Sequence, residues 1–318
     1  MHFNLALIQF IAEHRNPVLT HFFLYCSFLG DVNGYIFITT IIYVMYDKRL
    51  ALRLAILVLA TSGLNHFLKI IIKNPRPFVR QGTYLKEWAI PRADAASLAS
   101  EYSTPSGHAM AAGAFYPYFC AFTSNRLVKI LAIAALFCIG LSRPYLGVHY
   151  VEDILIGWTV GGLVAFGAYK YTMNIEEWWE KLQFKHQIIA IIAAGLIVCA
   201  ISIAINEWRY DSQQRAFASY VGFLSGILIA YPIEVRFVNF NPKSSHWSLK
   251  GVRYVLSVVM VVFTLFVVGK ISGHFVSRTS LPGFAIEYFR YALGGLVSML
   301  IAPIIFTAIG LAEKHAQA

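Results

Sequence analysis

The run QIIAIIAAGLIVCAISIAI, from Gln187 to Ile205, decides the fold class. It holds 19 residues and no charged side chain. Wound as an α-helix it is about 28 Å long at 1.5 Å per residue, close to the ~30 Å hydrocarbon thickness of a bilayer. Runs of the same kind recur on both sides of it. Working outward, nine spans fall near residues 25–46, 51–72, 107–123, 127–142, 153–173, 187–205, 217–233, 253–271 and 288–312. Composition agrees with them: of 318 residues, 58% are hydrophobic and 13% are charged, roughly half the charged share of a soluble domain. A water-soluble globular protein and a disordered chain are both excluded. The expected fold is all-α, a polytopic membrane helix bundle of about nine transmembrane helices.

Residues 1–24 read as an interfacial or re-entrant N-terminal segment, with 3–14 amphipathic. No basic stretch precedes Phe10, and Glu13, His14 and Arg15 interrupt the apolar run, so no cleavable signal peptide is expected. The chain divides near residue 175. A membrane core over 25–175 holds every polar constellation described below, and 176–318 supplies additional C-terminal transmembrane helices. Cys26, Cys120, Cys138 and Cys199 lie in apolar runs without C-x-x-C spacing and read as packing residues. The net charge is +10, but no cationic run is interleaved with aromatics, so no nucleic acid is expected. The longest polar connection, 74–106, has two readings, a solvated loop or a cap carrying Tyr84, Trp88 and Arg92.

Three polar clusters stand at span ends. Lys69-Ile-Ile-Ile-Lys-Asn-Pro-Arg76-Pro77 leaves the second span, and Pro105-Ser106-Gly107-His108 enters the third. Ser142-Arg143 leaves the fourth, followed by His149 and Asp153 at the start of the fifth. Because spans alternate in direction, all of these ends share one face of the membrane. Taken singly, each has a plainer reading: a snorkelling lysine, an ordinary helix start, a satisfied buried histidine, an interfacial arginine. Together, three cations and two histidines on one face would repel unless an anion sits among them, and ionisable groups at such depth are usually functional.

Phosphoryl transfer suits these residue types. Lys69, Arg76 and Arg143 would neutralise the non-bridging oxygens. The backbone amides of Ser106 and Gly107, at a helix N-terminus, would attract the same anion. His149 and Asp153, at i and i+4, share a helical face, so the carboxylate can orient an imidazole that attacks phosphorus. His108 would protonate the leaving oxygen and later activate water. No group of acidic residues and histidines has ligand spacing, so no metal and no cofactor is expected.

The clusters K-x6-R-P, P-S-G-H and S-R-x5-H-x3-D resemble the three signatures of the type 2 phosphatidic acid phosphatase superfamily, the lipid phosphate phosphatases, without substitution. The resemblance covers 69–153 by motif and 25–173 by span pattern. It implies a metal-independent hydrolase working through a phosphohistidine, with His149 as nucleophile, Asp153 as its partner and His108 as acid and base. Lys69, Arg76, Ser106, Gly107 and Arg143 would hold phosphate. The nine-span layout and the stretch from Ser100 to Met110 are similar to sphingosine-1-phosphate phosphatases and glucose-6-phosphatases.

With the spans as drawn, 13 of the 26 Lys and Arg fall on the face opposite the clusters and 13 on the cluster face. Setting aside Lys69, Arg76 and Arg143 leaves 10, so the positive-inside rule puts the clusters outside the cytoplasm. No N-x-S/T sequon occurs. The expectation is a bacterial inner-membrane protein with its site facing the periplasm, acting on a lipid phosphate, monoester or diphosphate, whose tail stays in the bilayer. Three alternatives stay open: a phosphatase of a soluble phosphoester, a lipid phosphotransferase, and a lipid transporter or scramblase that uses the later spans. Gly195, Gly222, Gly226, Gly294 and Gly295 would allow close helix contact, within the chain or across a homodimer.

Overall fold

The computed structural model describes residues 5–208, 212–277 and 279–315. Expectations that touch residues 1–4 lie outside these. A short helix, α1 (Leu5–Glu13), is followed by α2 (Pro17–Leu29). The Asn16 side chain caps α2 by accepting the Leu19 amide at 2.8 Å, and Pro17 fills a first-turn position where no N–H is needed. Next come α3 (Val32–Met45), α4 (Lys48–Ile72), and two short helices in the long connection, α5 (Tyr84–Glu87) and α6 (Arg92–Ala99). The chain continues through α7 (Gly107–Phe122), α8 (Arg126–Leu146), α9 (Val151–Glu180), α10 (Phe184–Ile205) and α11 (Ser212–Ile233). It ends with α12 (Trp247–Phe275), α13 (Leu281–Leu296) and α14 (Ala302–Ala308). A π-helical turn, Glu234–Val238, extends α11, and another, Val297–Ile301, joins α13 to α14. The isolated bridge between Phe240 and Lys314 is the β pairing recorded among the described residues, so the fold is all-α.

Among the described residues, seven helices are long and apolar enough to cross a membrane, and an eighth crossing results if the bent pair α2–α3 counts as one. Two of the nine expected spans are not among the seven. The span expected over 25–46 is two helices that meet at 63°. Its break falls at Gly30 and Asp31, where the Asp31 carboxylate accepts the Asn33 amide at 2.9 Å and starts a new helix. A Cβ on Gly30 would lie 2.4 Å from Ile139 Cγ2 of α8, so only glycine lets the break sit this close. The span expected over 107–123 is α7, whose 16 residues reach about 24 Å, short of a full crossing.

The chain forms two compact units, Met1–Tyr35 with Ala60–Met173, and Ile36–Leu59 with Asn174–Ala318. In the first, α7 is buried all round over 109–114, where every residue but Met110 is alanine or glycine, and α9 comes close enough that a Cβ on Gly161 would lie 2.2 Å from the Met110 carbonyl oxygen. The 74–106 connection is a packed element. Ile8 of α1, Phe78, Trp88, Ala95 of α6, Leu146 and Val148 form one buried apolar cluster, and the Trp88 indole donates to the Pro77 carbonyl at 3.1 Å. Of the three residues expected to form a cap, Trp88 is buried, Tyr84 is half-buried and Arg92 is exposed.

In the second unit α11 and α13 lie backbone to backbone. A Cβ on Gly222 would fall 2.2 Å from the Tyr288 carbonyl oxygen, and one on Gly226 would fall 2.1 Å from that of Ala292. These glycines therefore serve contact within the chain. Lys48 at the start of α4 is buried against Glu234 at 3.0 Å, Arg53 holds Glu176 at 2.6 Å, and the Tyr43 hydroxyl donates to the Met299 carbonyl at 2.8 Å.

Candidate active site

The motif residues lie at one end of the first unit. Lys69 stands in the last turn of α4, Arg76 in the connection just beyond it, and Ser106 caps α7. Arg143 ends α8, where Gly147 adopts a left-handed φ of 84° and reverses the chain. Added side-chain atoms there would meet Arg15, the Glu87 carbonyl and Trp88, so a glycine is required on two counts. The reversal delivers His149 between α8 and α9, and Asp153 falls in the first turn of α9.

His149 is 2% exposed and Asp153 is fully buried. The Arg76 guanidinium reaches His149 Nε2 at 2.8 Å. Arginine can only donate, so Nε2 is the acceptor and carries the lone pair. The proton therefore resides on Nδ1, 3.3 Å from Asp153 Oδ2. Burial first, then the charges of Arg76, Arg143 and Lys69, hold the imidazole well below its ordinary pKa. The ring is thus a neutral nucleophile at neutral pH.

Asp153 is fixed by more than His149. Ser103 Oγ donates to Oδ2 and Thr104 Oγ1 to Oδ1, each at 2.5 Å. The Tyr150 amide donates to Oδ2 at 2.9 Å. The Asp153 carbonyl accepts the Ser106 amide at 3.1 Å, which ties the P-S-G-H turn to α9. That bond commits one of the two amides expected to face phosphate and leaves the first-turn amides from Gly107 onward as helix-end donors. Asn65 supports the same turn by donating to the Pro105 carbonyl at 3.0 Å, and its Oδ1 would stand 3.1 Å from a Cβ on Gly107.

His108 is partly exposed, with Arg143, His149, Arg76 and Lys69 all within electrostatic reach. Its Cδ2 would be 3.2 Å from a Cβ on Gly30, so the α2–α3 break forms a wall beside it. Arg143 is buried and donates to the Ser27 hydroxyl at the end of α2. Arg76 Nε and Arg143 Nε are both buried without a hydrogen-bond partner, although buried polar groups are nearly always satisfied.

An acidic residue that the motifs do not contain completes the group. Glu101 Oε2 lies 3.2 Å from Lys69 Nζ and 3.0 Å from Arg76 Nη2. Burial works against its ionisation, yet Lys69 and Arg76 together hold its carboxyl below the usual range. Glu101, Ser103 and Thr104 immediately precede P-S-G-H, and Ser27 and Asn65 sit on other helices. For the first three the signals were adjacency to the second motif and membership of the 100–110 stretch, and nothing in the sequence marks the other two.

Comparison with known families and proteins follows the same outline. The PAP2 superfamily model matches residues 50–177, and a model for the PAP2 superfamily phosphatase transmembrane extension matches 218–314. Phosphatidylglycerophosphatase B of Bacillus subtilis is 36% identical over 109 residues, which cover 30% of this chain and 54% of that protein. Lipid phosphate phosphatase delta of Arabidopsis thaliana is 24% identical, over 79% of this chain and 69% of that protein. Sphingosine-1-phosphate phosphatase 1 of Mus musculus is 24% identical, over 67% and 56% respectively.

Proposed function

The chain belongs to the PAP2 superfamily as an integral membrane phosphatase with the transmembrane extension, and from that premise we propose that it hydrolyses a lipid phosphate through a covalent phosphohistidine on His149, without a metal ion. The observation that carries this reading is the pair of buried, unpartnered Nε donors of Arg76 and Arg143 beside a neutral His149. Donors of this kind gain their partners when phosphate oxygens enter.

In the proposed reaction, Nε2 of His149 attacks phosphorus as the hydrogen bond that Arg76 now donates to it shifts to a phosphate oxygen, the guanidinium keeping its proton. The ester P–O bond breaks, and His108, which takes up a proton as the entering phosphate offsets the surrounding cations, gives that proton to the leaving oxygen. The Nδ1–H bond to Asp153 stabilises the ring as positive charge develops. His108 then takes a proton from water, which attacks the phosphohistidine, breaks the P–N bond and releases inorganic phosphate. Lys69, Arg76 and Arg143 supply the charge neutralisation for which other phosphoryl-transfer enzymes use a divalent ion.

The site's position at a helix end of a membrane bundle supports a lipid phosphate as substrate class, and three relatives carry lipid phosphates in their names. The core over 25–175 would carry the chemistry, and 176–318 would support it. The division of Lys and Arg favours a site facing the periplasm of a bacterial inner membrane.

Phosphate release by the full-length protein, with EDTA present, over a panel of lipid monophosphates, lipid diphosphates and glucose-6-phosphate tests the reading. Release is expected to survive EDTA and to fall at least about 1,000-fold in His149→Ala. Because His149 stays neutral well below pH 6.5, its acid limb in kcat/KM is expected below that value. Loss of activity in EDTA, restored by a divalent ion, would overturn metal independence. Activity confined to glucose-6-phosphate would overturn the lipid assignment.

A further inference from the structure

Glu101 lies outside all three motifs, yet its carboxylate stands on two of the three cations assigned to phosphate. One oxygen, Oε2, bridges Lys69 Nζ and Arg76 Nη2. The neighbouring Nη1 of the same guanidinium touches the attacking nitrogen, His149 Nε2. A phosphoryl oxygen bound by Lys69 and Arg76, with phosphorus in line for Nε2, would need the position that Oε2 holds. Building on the phosphatase reading above, we propose that Glu101 is an internal anion that competes with phosphate for Lys69 and Arg76, and so sets the affinity of the site for both the substrate phosphate and the phosphate product.

Charge balance supports an exchange over simple addition. Lys69, Arg76 and Arg143 are buried and face three carboxylates: Glu101, Asp153 and, within electrostatic reach of Arg143, Asp31. Asp153 is saturated by Ser103, Thr104, Tyr150 and His149 and cannot leave. Glu101 has a quarter of its side chain exposed and follows α6 in a short loop, so it can swing toward solvent. Without it, the buried cations would repel one another before substrate binds. With it in place, a phosphate dianion would share both donors with a like charge at contact distance, which is strongly unfavourable in a buried site. Each anion therefore stabilises the cations in turn. The return of Glu101 would also displace inorganic phosphate after hydrolysis.

The test uses full-length protein in detergent, with inorganic phosphate as the probe and isothermal titration as the readout. Wild type, Glu101→Gln, Glu101→Asp and Glu101→Ala would be compared, with steady-state kinetics in parallel. Glu101→Gln is expected to bind phosphate at least about ten-fold more tightly, with KM and the inhibition constant for phosphate both lowered and kcat lowered by slower product release. Glu101→Asp keeps the charge and is expected to stay near wild type. Acetate added to Glu101→Ala is expected to weaken phosphate binding again. Unchanged or weaker phosphate binding in Glu101→Gln and Glu101→Ala, with thermal midpoints retained, would overturn the proposal and leave Glu101 only holding Lys69 and Arg76 in place. If Glu101→Gln fails to fold, the acetate effect on Glu101→Ala decides alone. The two readings fail separately. Tighter phosphate binding in Glu101→Gln by a protein that hydrolyses no lipid phosphate would sink the substrate assignment and leave the competition standing.

Discussion

At the residue scale, the motifs specify the residues proposed to bind phosphate far better than the residues that hold them in place. Lys69, Arg76, His108, Arg143, His149 and Asp153 were legible because their spacing puts each at a span end on a common face. Ser103 and Thr104 were not, because a hydroxyl in a polar loop has no periodic signature. Their importance comes from Asp153, which lies some fifty residues away along the chain. Each hydroxyl donates to a buried carboxylate, a bond of the charge-assisted kind worth about 1.5–3 kcal/mol. Ser103→Ala and Thr104→Val are therefore each expected to lower kcat about 10-fold or more while leaving KM near wild type, since in the proposed mechanism Asp153 orients the nucleophile without binding phosphate. A KM rise with unchanged kcat, measured on the preferred lipid phosphate, would show that these hydroxyls act on binding.

At the element scale, length and polarity located the helices, but close backbone contacts decided where they break and pack. The 25–46 span reads as continuous because Gly30 and Asp31 are too few to interrupt a hydropathy window. The break becomes necessary only when α8 approaches Gly30. The 74–106 connection left two readings open for a similar reason, since its apolar residues are isolated in sequence and meet only in the cluster with Ile8 and Leu146. For α11 and α13 the glycines were visible as a capacity for close contact, without their partner. That partner is now α13 itself. Gly226 has the Ala292 backbone where its side chain would be, and backbone cannot move aside as a flexible side chain can. Gly226→Ala is expected to lower stability by about 1–3 kcal/mol, read as a fall in the thermal midpoint in detergent, whereas Gly251→Ala, where a Cβ meets nothing within 4 Å, should leave the midpoint unchanged. Equal midpoints for both variants would mean that α11 and α13 do not pack this closely.

At the scale of the whole molecule, the sequence suggested a cut near residue 175, and the compact units divide between 173 and 174 but also exchange an earlier segment. Residues 36–59 belong with the C-terminal helices, so α4 starts in one unit and ends, at Lys69, in the other. Its first turn carries Lys48, 8% exposed, whose counter-charge is Glu234 after α11. The same unit pairs Arg53 with Glu176 and gives the Tyr43 hydroxyl its acceptor at Met299. A chain cut after residue 186 keeps every motif residue but strips Lys48 and Tyr43 of their partners. Leaving one member of a buried ion pair unpaired costs about 3–5 kcal/mol, a large part of the margin by which a domain of this size is stable. The cut protein is therefore expected to be recovered, if at all, with a lowered thermal midpoint and with activity lost through displacement of Lys69. The pair gives a sharper version of the same prediction. Lys48→Met and Glu234→Leu should each destabilise full-length protein, and the double variant should recover most of the loss, because two apolar side chains of similar size replace two buried charges without leaving either alone. A truncated protein with wild-type midpoint and turnover would mean that the C-terminal helices contribute nothing to α4, and the phosphatase would then be complete within its first 186 residues.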